Sequence, residues 1–590
     1  MSSYAGIADK NSERKTGKRG KKMKKLYQWK KVTACIMAAA VSLSVCACGN
    51  QNGDKDDAGK TTSQENPEAS KETPAEETSS EAEKSEESQA ESEAGGAAEV
   101  TYPLKEKVHL TLAMVDEAAV TANAKNLAET PFGKAWQEAT GVELEIMQLA
   151  DGDALNLLYA SGELPDMIAY SGYTGGAEKA IKDKIIQPLN DYMQYAPDLQ
   201  AVLDSNDLYK KSSTTKDGDI IGFPFIRGDD YLLSSAGLII RQDWLDDLNL
   251  ELPQTPDDLY EVLKAFKEEK GAKVPFSVGN WWLKSIALEH GLLTSPFGLV
   301  KGNFYQVDGK VHYGYAEEAY KDVLAFLNKL YAEGLLDPNF QTVDDNTIRA
   351  NIMNGETGVT VGNTGGYMGN MLQTMEEDPT FNLNGFGPLV AKAGDVPMST
   401  HYDNALPGKY IIVTPSCSNK EAAVQFLNYG YTKEGSLLFN YGIEGESYTI
   451  VDGEPTYTDL IMHNPDGLTK QLALAQYTRA WQDGPFVQEK GYQLQYADLP
   501  SQKSALSNWT RSDAAKYNMP PVTVAEEDAS EYSKLMGDIG TYVSEMTIQY
   551  ITGLEPLDTF ESKYLETLKS MNVERAIEMR QEALDDFNAR

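Results

Sequence analysis

An α/β fold with a parallel sheet is predicted for the body of the chain from segments near its start. Their order is strand, helix, strand, helix, strand, at 108–112, 130–141, 142–146, 153–160 and 167–169. The strand segments alternate apolar and polar side chains. In the first helix segment Thr130 precedes Pro131, and Gly141 ends the pattern. Strands that alternate with helices favour parallel pairing, with the helices packed on the sheet.

Helices dominate the second half of the predicted body. Thr255 begins a capping signal (TPDD), and apolar residues then follow at the i, i+3, i+4, i+7 positions up to Phe266. The same spacing predicts a helix over 320–330 that stops by Gly334. The segment 559–588 has few β-branched residues and is predicted to be helical.

The charge is distributed unevenly along the 590 residues. The chain carries 53 basic and 89 acidic side chains, a net charge of -36, but residues 1–48 are basic and residues 49–100 strongly acidic. The body, 101–590, is also acidic, and such a surface repels phosphate groups, so nucleic-acid binding is excluded. An aromatic content of 9% excludes a chain that is disordered throughout.

Residues 1–48 are predicted to be a bacterial lipoprotein signal peptide. A basic stretch is followed by the apolar run 32–45, which is shorter than the roughly 20 residues that span a bilayer. The run ends in Cys46-Ala47-Cys48, which resembles a lipobox. Because a small residue precedes the acylated cysteine, Cys48 is favoured over Cys46. An uncleaved signal anchor is the alternative.

Residues 49–100 are predicted to be a solvated tether. They contain 15 acidic and 4 basic side chains and no aromatic residue, so they have too little apolar surface to offset the entropy of the chain. Three of the four cysteines lie in the signal, which leaves Cys417 alone in the body and predicts no disulfide there. Cys417 is expected to be buried rather than reactive.

The sequence does not indicate a catalytic, metal or cofactor site. None of the five histidines has a second His or Cys at metal-ligand spacing. The G-x-S-x-G elbow, the P-loop, the G-x-G-x-x-G motif and the Asp-x-Asp-x-Asp calcium loop are all missing from the sequence. Among 89 acidic residues a pair of carboxylates carries no information, so a glycosidase stays an alternative.

Loops rich in glycine and aromatic residues are the best candidates for a binding site. The segments 170–176 (YSGYTGG) and 362–367 (GNTGGY) each follow a predicted strand, where α/β sheets hold ligands, and a Trp pair follows Asn280. Aromatic faces with polar neighbours suit sugar rings, which expose C–H groups on their faces and hydroxyls at their edges. No cluster of Arg or Lys accompanies these loops, so an anionic ligand is not indicated.

Seven segments in order resemble the extracellular solute-binding proteins, family 1, the carbohydrate-type lipoproteins of ABC importers. They are 161–166 (SGELPD), 216–224 (KDGDIIGFP), 237–256 (from GLIIR to LPQTP), 329–338 (KLYAEGLLDP), 354–359 (NGETGV), 412–423 (IVTPSCSNKEAA) and 441–448 (YGIEGESY). Each motif is degenerate alone, but their order behind a lipobox and tether supports the resemblance.

The resemblance implies a two-lobe, type II periplasmic-binding-protein-like fold with an interlobe ligand cleft, a hinge and a helical C-terminal extension. Lobe one is expected at about 101–228 and 405–458, and lobe two at about 229–404 and 459–590. The resemblance further implies a protein without catalytic activity that is held at the outer face of the membrane by its lipid anchor. The expected partners of this monomer are a sugar and a permease pair with a cytoplasmic ATPase.

The family's ligand loops carry over to specific residues of this chain. They fall on Tyr170, Tyr173, Arg227, Asp229, Asn363 and Tyr367. Weaker matches, or residues chosen for their character near matched segments, are Trp281, Trp282, Glu446 and Trp481. Many relatives carry a Trp where this chain has 362–367, so Tyr367 departs from the pattern as a stacking residue.

The predicted ligand is an oligosaccharide. Two alternatives stay open from the sequence: a secreted hydrolase that acts on carbohydrate through an acid pair, and a binding protein of the same fold for peptides or another solute.

Overall fold

The computed structural model describes residues 100–115 and 117–590. The predicted signal peptide with Cys48, and the predicted tether up to residue 99, lie outside the described residues. Within the described ranges, no helix is both long enough and apolar enough to cross a membrane.

The strands of the described residues form two main sheets and three two-stranded ribbons. Their bounds are β1 Val108–Val115, β2 Val142–Leu149, β3 Met167–Tyr170, β4 Phe223–Pro224, β5 Ile226–Arg227, β6 Ala236–Arg241, β7 Phe304–Val307, β8 Lys310–Tyr313, β9 Val359–Asn363, β10 Leu383–Phe386, β11 Tyr410–Val413, β12 Tyr448–Val451, β13 Glu454–Tyr457 and β14 Val487–Gln488.

The first sheet has the order β2-β1-β3-β11-β4. β1 pairs in parallel with both β2 and β3, which confirms the parallel α/β arrangement predicted from the sequence. β11, which lies far along the chain, joins antiparallel to β3 and β4. Alternate residues of β1 serve two cores, because Leu112 packs with Phe132 and Trp136 on one face and Ala113 with Ile412 on the other.

The second sheet has the order β10-β6-β9, and both pairings are antiparallel. The central strand β6 is buried along its whole length, which explains its unbroken apolar sequence Ala-Gly-Leu-Ile-Ile. The loop after β9 therefore does not follow a parallel strand, contrary to the expectation for residues 362–367. That loop lies at the end of an antiparallel edge strand.

Helices cover both sheets. In the first half of the chain they are Ala118–Thr121, Pro131–Thr140, Gly152–Ser161, Gly176–Lys182, Pro197–Asp204, Asp207–Ser213, Gln242–Leu248 and Pro256–Glu268. In the second half they are Tyr320–Ala332, Asp345–Met353, Asn370–Thr374, Lys420–Asn428, Lys433–Tyr441, Asp459–Met462, Lys470–Tyr477, Lys490–Tyr496, Pro500–Thr510, Ala514–Tyr517, Glu526–Thr552, Glu566–Ser570 and Val573–Ala589.

Local sequence signals set several of these helix ends. Thr130 accepts a hydrogen bond from the Gly133 amide at 2.9 Å, and Gly141 ends the same helix in the left-handed conformation. The capping box predicted at Thr255 is also present. The stretch 559–588, predicted to be helical, contains two α-helices, Glu566–Ser570 and Val573–Ala589, because Asn572 adopts a φ of 61° and separates them.

The chain passes between the two sheets near residues 227–233 and 402–405. The Arg227 amide donates to the Ala405 carbonyl, and the Asp403 amide donates to the Leu233 carbonyl, both at 2.8 Å. β14 pairs in parallel with β5 at the same place. We refer to these paired segments as the hinge, where the chain crosses between the sheets; bending at this place and the lobe boundaries stay predictions from the sequence.

The C-terminal helices pack mainly on the second sheet. Trp509, Ile539 and Tyr550 are fully buried in the core that contains β6, β9 and β10. Gly237 and Gly385 in the sheet leave room for the Trp509 indole, because a Cβ atom on either glycine would collide with it. The segment between β13 and residue 497 contacts both cores. Phe486 belongs to the core of the first sheet, and Ala497 belongs to the core of the second.

Cys417 is buried, as predicted from the sequence. Burial raises the pKa of its thiol to about 12, which keeps the sulfur protonated and unreactive.

Candidate functional site

A cavity of about 370 Å³ lies between the loop after β3 and the C-terminal region that packs on the second sheet. We call it the cleft cavity. It is lined by Tyr170, Tyr173 and Tyr410 on the side of the first sheet and by Val522, Tyr532 and Arg580 on the other. Aromatic rings with polar edges on opposing walls can hold a ligand that is itself part apolar and part polar.

Tyr170 and Tyr173, two of the residues predicted to bind ligand, both line this cavity, Tyr170 at the end of β3 and Tyr173 in the loop that follows; their contact with a ligand stays a prediction. The Tyr173 hydroxyl donates to Asp183 at 2.7 Å, and its ring meets the edge of Tyr159 at 5.5 Å. The bond to Asp183 and burial raise the pKa of Tyr173 to about 12, and burial raises the pKa of Tyr170. Both phenols are therefore neutral at physiological pH.

A second, mainly apolar cavity of about 200 Å³ adjoins the first and shares Tyr170 and Tyr410 as walls. It lies at the carboxyl ends of β1 and β3, next to the ion pair between Arg479 and Glu117. The two Arg479 amino groups bond the two carboxylate oxygens at 2.6 Å each. This bidentate pair leaves neither charge free for a ligand.

Trp281, Trp282 and Tyr367 come together beside the second sheet, and we call them the aromatic cluster. Trp282 lies edge-on to Trp281 at 4.9 Å and to Tyr367 at 5.7 Å. Asn363 accepts a hydrogen bond from the Tyr367 amide at 2.9 Å and so holds the loop that carries Tyr367. The sequence indicated all four residues but did not indicate that they meet.

Exposure within the aromatic cluster differs sharply. Trp281 is 61% exposed, whereas Tyr367 is 2% exposed, so Trp281 offers the free ring face. Trp282 is held by a bond from its indole nitrogen to Asp345 at 3.1 Å. Trp282 and Tyr367 both lie in π-helical turns, a local geometry that is frequent at functional sites.

Arg227 and Asp229 lie in the hinge and are engaged within the protein. Arg227 pairs with Asp403 at 2.6 Å and donates to the Leu232 carbonyl at 2.9 Å. Asp229 accepts from the Tyr231 amide at 2.8 Å. Both side chains therefore stabilise the hinge in this conformation.

Glu446 and Trp481 lie apart from both of these groups. Glu446 is exposed, and Trp481 is half-buried against the small core that also contains Tyr441 and Tyr457. Among the described residues, neither side chain lines the cleft cavity or contacts the aromatic cluster.

Three residues near the hinge come together from distant parts of the sequence. The His290 and His401 rings lie 4.9 Å apart, and His401 faces Asp403 at 3.6 Å. Burial, together with the charges of His401 and Lys301, lowers the pKa of His290 to about 3. Among the described residues there is no group of three or more His, Cys, Asp or Glu side chains that fits a metal ion.

We expect the free energy of unfolding to depend on pH through the titration of His290. Between its folded pKa of about 3 and an unfolded value of about 6.5, only the unfolded chain binds the proton, so stability falls as the pH falls through this window. From pH 7 to pH 5 the expected loss is about 2 kcal/mol. Denaturation at both pH values should show a smaller loss for His290→Gln than for the wild type. An equal loss in both would contradict this assignment, and exposed His463→Gln is the control.

Sequence reasoning missed Lys301 and Arg580. They lie close enough together for the Arg580 charge to lower the pKa of Lys301, although one precedes β7 and the other belongs to the last helix. No local motif joins two positions so far apart, and only the packing of the C-terminal helices on the second lobe brings them together.

Comparison with known proteins shows the following similarities. The family model described as "Bacterial extracellular solute-binding protein" matches residues 119–436. Lipoprotein LipO of Bacillus subtilis is 29% identical over 59% of this chain and 70% of its own length. The fructooligosaccharide ABC transporter substrate-binding protein FusA of Streptococcus pneumoniae is 24% identical over 83% of this chain and 92% of its own.

The solved structures agree in fold. The crystal structure of alginate-binding protein AlgQ2 without calcium ion has a TM-score of 0.68 at 22% identity, covering 82% of this chain and 99% of its own. This similarity establishes that the described part of the chain has the type II periplasmic-binding-protein fold.

Proposed function

The chain belongs to the bacterial extracellular solute-binding proteins, and from that premise we propose that it captures an oligosaccharide and delivers it to an ABC importer. The cleft cavity between the first sheet and the C-terminal region carries the proposal, because tyrosines line it from both sides. The relative FusA, which matches most of the chain, is named for fructooligosaccharide transport.

The proposed anchor and partners follow from the sequence and the relatives. Cys48 would carry the lipid and residues 49–100 would tether the body at the outer face of the membrane; LipO, a relative, is a lipoprotein. The closed body would dock on a permease pair with its ATPase, as a monomer and without covalent chemistry on the sugar. A deletion of a neighbouring permease gene that leaves sugar uptake intact would contradict this assignment.

The proposed sugar contacts divide between the two lobes. Tyr170 and Tyr173 would contact the ligand from lobe one, and Trp281 would stack on a ring from lobe two. Asn363, Trp282 and Tyr367 would hold that platform in place, since Asn363 bonds the Tyr367 amide, Trp282 bonds Asp345, and the Tyr367 ring packs against Trp282. Arg227 and Asp229 would act through the hinge, while Glu446 and Trp481 have the weakest support.

Thermal unfolding of the full chain with a ligand panel tests the proposal. The panel contains mono- and oligosaccharides, amino acids and short peptides, each at millimolar concentration. A ligand at about 100 times its Kd adds roughly 2.7 kcal/mol to the folded state. We expect an oligosaccharide to raise the midpoint and to be recovered unchanged by mass spectrometry. Consumption of the sugar would show a hydrolase, and a shift by peptides alone would refute carbohydrate binding.

Trp281→Ala tests the stacking platform. We expect the Kd of the oligosaccharide found in the panel to rise about 10- to 30-fold, as for an aromatic anchor worth about 1.5–2 kcal/mol. The unfolding midpoint of the free protein should stay unchanged, because the Trp281 side chain is largely exposed. Leu554→Ala removes another exposed apolar side chain and is the matched control. Equal affinity of Trp281→Ala and wild type, measured by titration calorimetry, would remove Trp281 from the site.

A further inference from the structure

Two half-buried cations, Lys301 and Arg580, have no carboxylate partner among the described residues. The many other ion pairs of the body join Lys or Arg to an acid, but in the described ranges no acidic side chain lies within ion-pair distance of either of these two. The nearest charged neighbour that lowers the pKa of Lys301 is Arg580, another cation. Positive charge is therefore concentrated here without compensation from the protein.

Arg580 lines the cleft cavity and has unused hydrogen-bond donors. The guanidinium group has five N–H donors. One hydrogen bond from it lies within the described protein, from Nη1 to the Val522 carbonyl at 3.0 Å. Its Nε atom is buried and has no partner in the described part of the chain. The guanidinium carbon lies 5.4 Å from the centre of the Phe304 ring, so this ring covers one face of the guanidinium group.

Lys301 adds a second positive charge, close enough to Arg580 for the two to interact electrostatically. Its ammonium group donates to the Asn518 side chain at 3.0 Å, and Asn518 in turn donates to Asn404 in the hinge at 2.7 Å. Burial, and next the charge of Arg580, lower the pKa of Lys301 to about 8. An anion at Arg580 would favour the protonated, charged form of Lys301.

An unpaired charge removed from water is costly to a folded protein, so such groups are usually paired. The chain is strongly acidic as a whole, yet no acidic side chain of the described residues forms an ion pair with either cation. A charge of the opposite sign supplied by a ligand would compensate them. The planar fork of an arginine matches a carboxylate with two parallel hydrogen bonds.

We propose that Arg580, supported by Lys301, is an anion-recognition subsite of the cleft cavity and that the captured saccharide carries a carboxylate, as a uronic acid does. Tyr170, Tyr173 and Tyr532 provide aromatic faces and hydroxyls around the same space for the rest of the sugar. This inference rests on the proposed function and narrows it to acidic oligosaccharides. The loops examined in the sequence did not indicate an anionic ligand, because neither cation lies in them.

Calorimetric titration of the full chain with matched sugars tests the subsite. The probes are the trisaccharides of galacturonate, mannuronate and glucuronate, each compared with its methyl ester, which has the same rings without the charge. We expect at least one acid to bind about 10- to 100-fold more tightly than its ester, the effect of hydrogen bonds to a charged group. A trisaccharide of uncharged sugars that carries a sulfate group is added to the same panel. It distinguishes recognition of a carboxylate from recognition of any anion.

Arg580→Gln should remove that preference, so that acid and ester bind with similar affinity. Arg580→Lys should retain part of the preference for the acid, because lysine keeps the positive charge but lacks the planar, two-pronged donor group of arginine. Lys569→Gln removes an exposed cation from the same C-terminal region and should retain the full preference. If Arg580→Gln does not fold, Lys301→Met provides an independent test, since it should weaken binding of the acid and leave binding of the ester unchanged.

The outcomes separate this inference from the function on which it rests. If neutral or esterified sugars bind as tightly as the acids, the anion subsite is wrong while carbohydrate capture stands. If the sulfated sugar alone binds tightly, the carboxylate assignment is wrong. If no saccharide of either kind binds, both the subsite and the proposed function fail.

Discussion

Replacing Trp509 by alanine is expected to lower the free energy of unfolding by about 4 kcal/mol, the cost typical of a large aromatic side chain removed from a core. Trp509 is fully buried, and its indole nitrogen donates to the Leu238 carbonyl at 3.3 Å. It fastens the C-terminal helices onto the second sheet over Gly237 and Gly385. The loss therefore combines a cavity with a weakened contact between two parts of lobe two.

Scanning calorimetry of the full chain measures this effect. A loss of about 4 kcal/mol should lower the midpoint of the transition that contains lobe two by roughly 10 °C. Trp281→Ala is the same chemical change at an exposed position and is the matched control. If both variants unfold at the same temperature, Trp509 does not have the packing role assigned to it.

Breaking the hinge ion pair is expected to be nearly as costly. Asp403→Ala leaves Arg227 without its partner at 2.6 Å, and a partly buried charge deprived of its partner costs about 3 kcal/mol. His401 also loses the carboxylate it faces. Because the segments that carry Arg227 and Asp403 cross between the sheets side by side, the sugar affinity should change together with stability.

A double variant separates loss of the charge pair from loss of packing. Arg227→Met with Asp403→Leu removes both charges and should recover most of the stability lost in Asp403→Ala, because well-packed apolar residues often replace buried ion pairs without cost. Glu566→Ala breaks an exposed pair with Lys569 and should cost at most about 0.5 kcal/mol. Chemical denaturation of the three variants compares these values. A double variant no more stable than Asp403→Ala would contradict the ion-pair explanation.

Local signals made much of the first sheet predictable. The Thr130, Pro131 and Gly141 signals fix one helix through a side-chain cap, a fixed φ and a left-handed end, and these act within a few residues. β1, β2 and β3 are predictable from the alternation of apolar and polar side chains, because successive side chains of a strand point to opposite faces of the sheet. The capping box at Thr255 is predictable for the same reason.

Long-range pairing was not predictable in the same way. Nothing local in residues 359–363 reveals that β9 runs antiparallel to β6, since direction depends on the path of the whole chain. The break at Asn572 depends on one residue that tolerates a left-handed conformation inside a sequence that is otherwise helical. Both features are decided by tertiary packing rather than by the pattern of the segment.

The candidate site was predictable as loops but not as contacts. Tyr170 and Tyr173 reach the cleft cavity because they follow a strand of a parallel pair, which is a topological rule. The contact between Trp282 and Tyr367 depends on two π-helical turns, and no residue pattern in the sequence predicts these turns. Lys301 and Arg580 come together only through the packing of the last helix, so no segment of the sequence indicated an acidic sugar.

A crystal structure of the full chain with the oligosaccharide that binds most tightly tests the proposed binding site. We expect the intact sugar to lie in the cleft cavity, in contact with Tyr170 or Tyr173 on one side and with Arg580 on the other. A sugar bound elsewhere on the surface, or a cleaved sugar in the cavity, would contradict it.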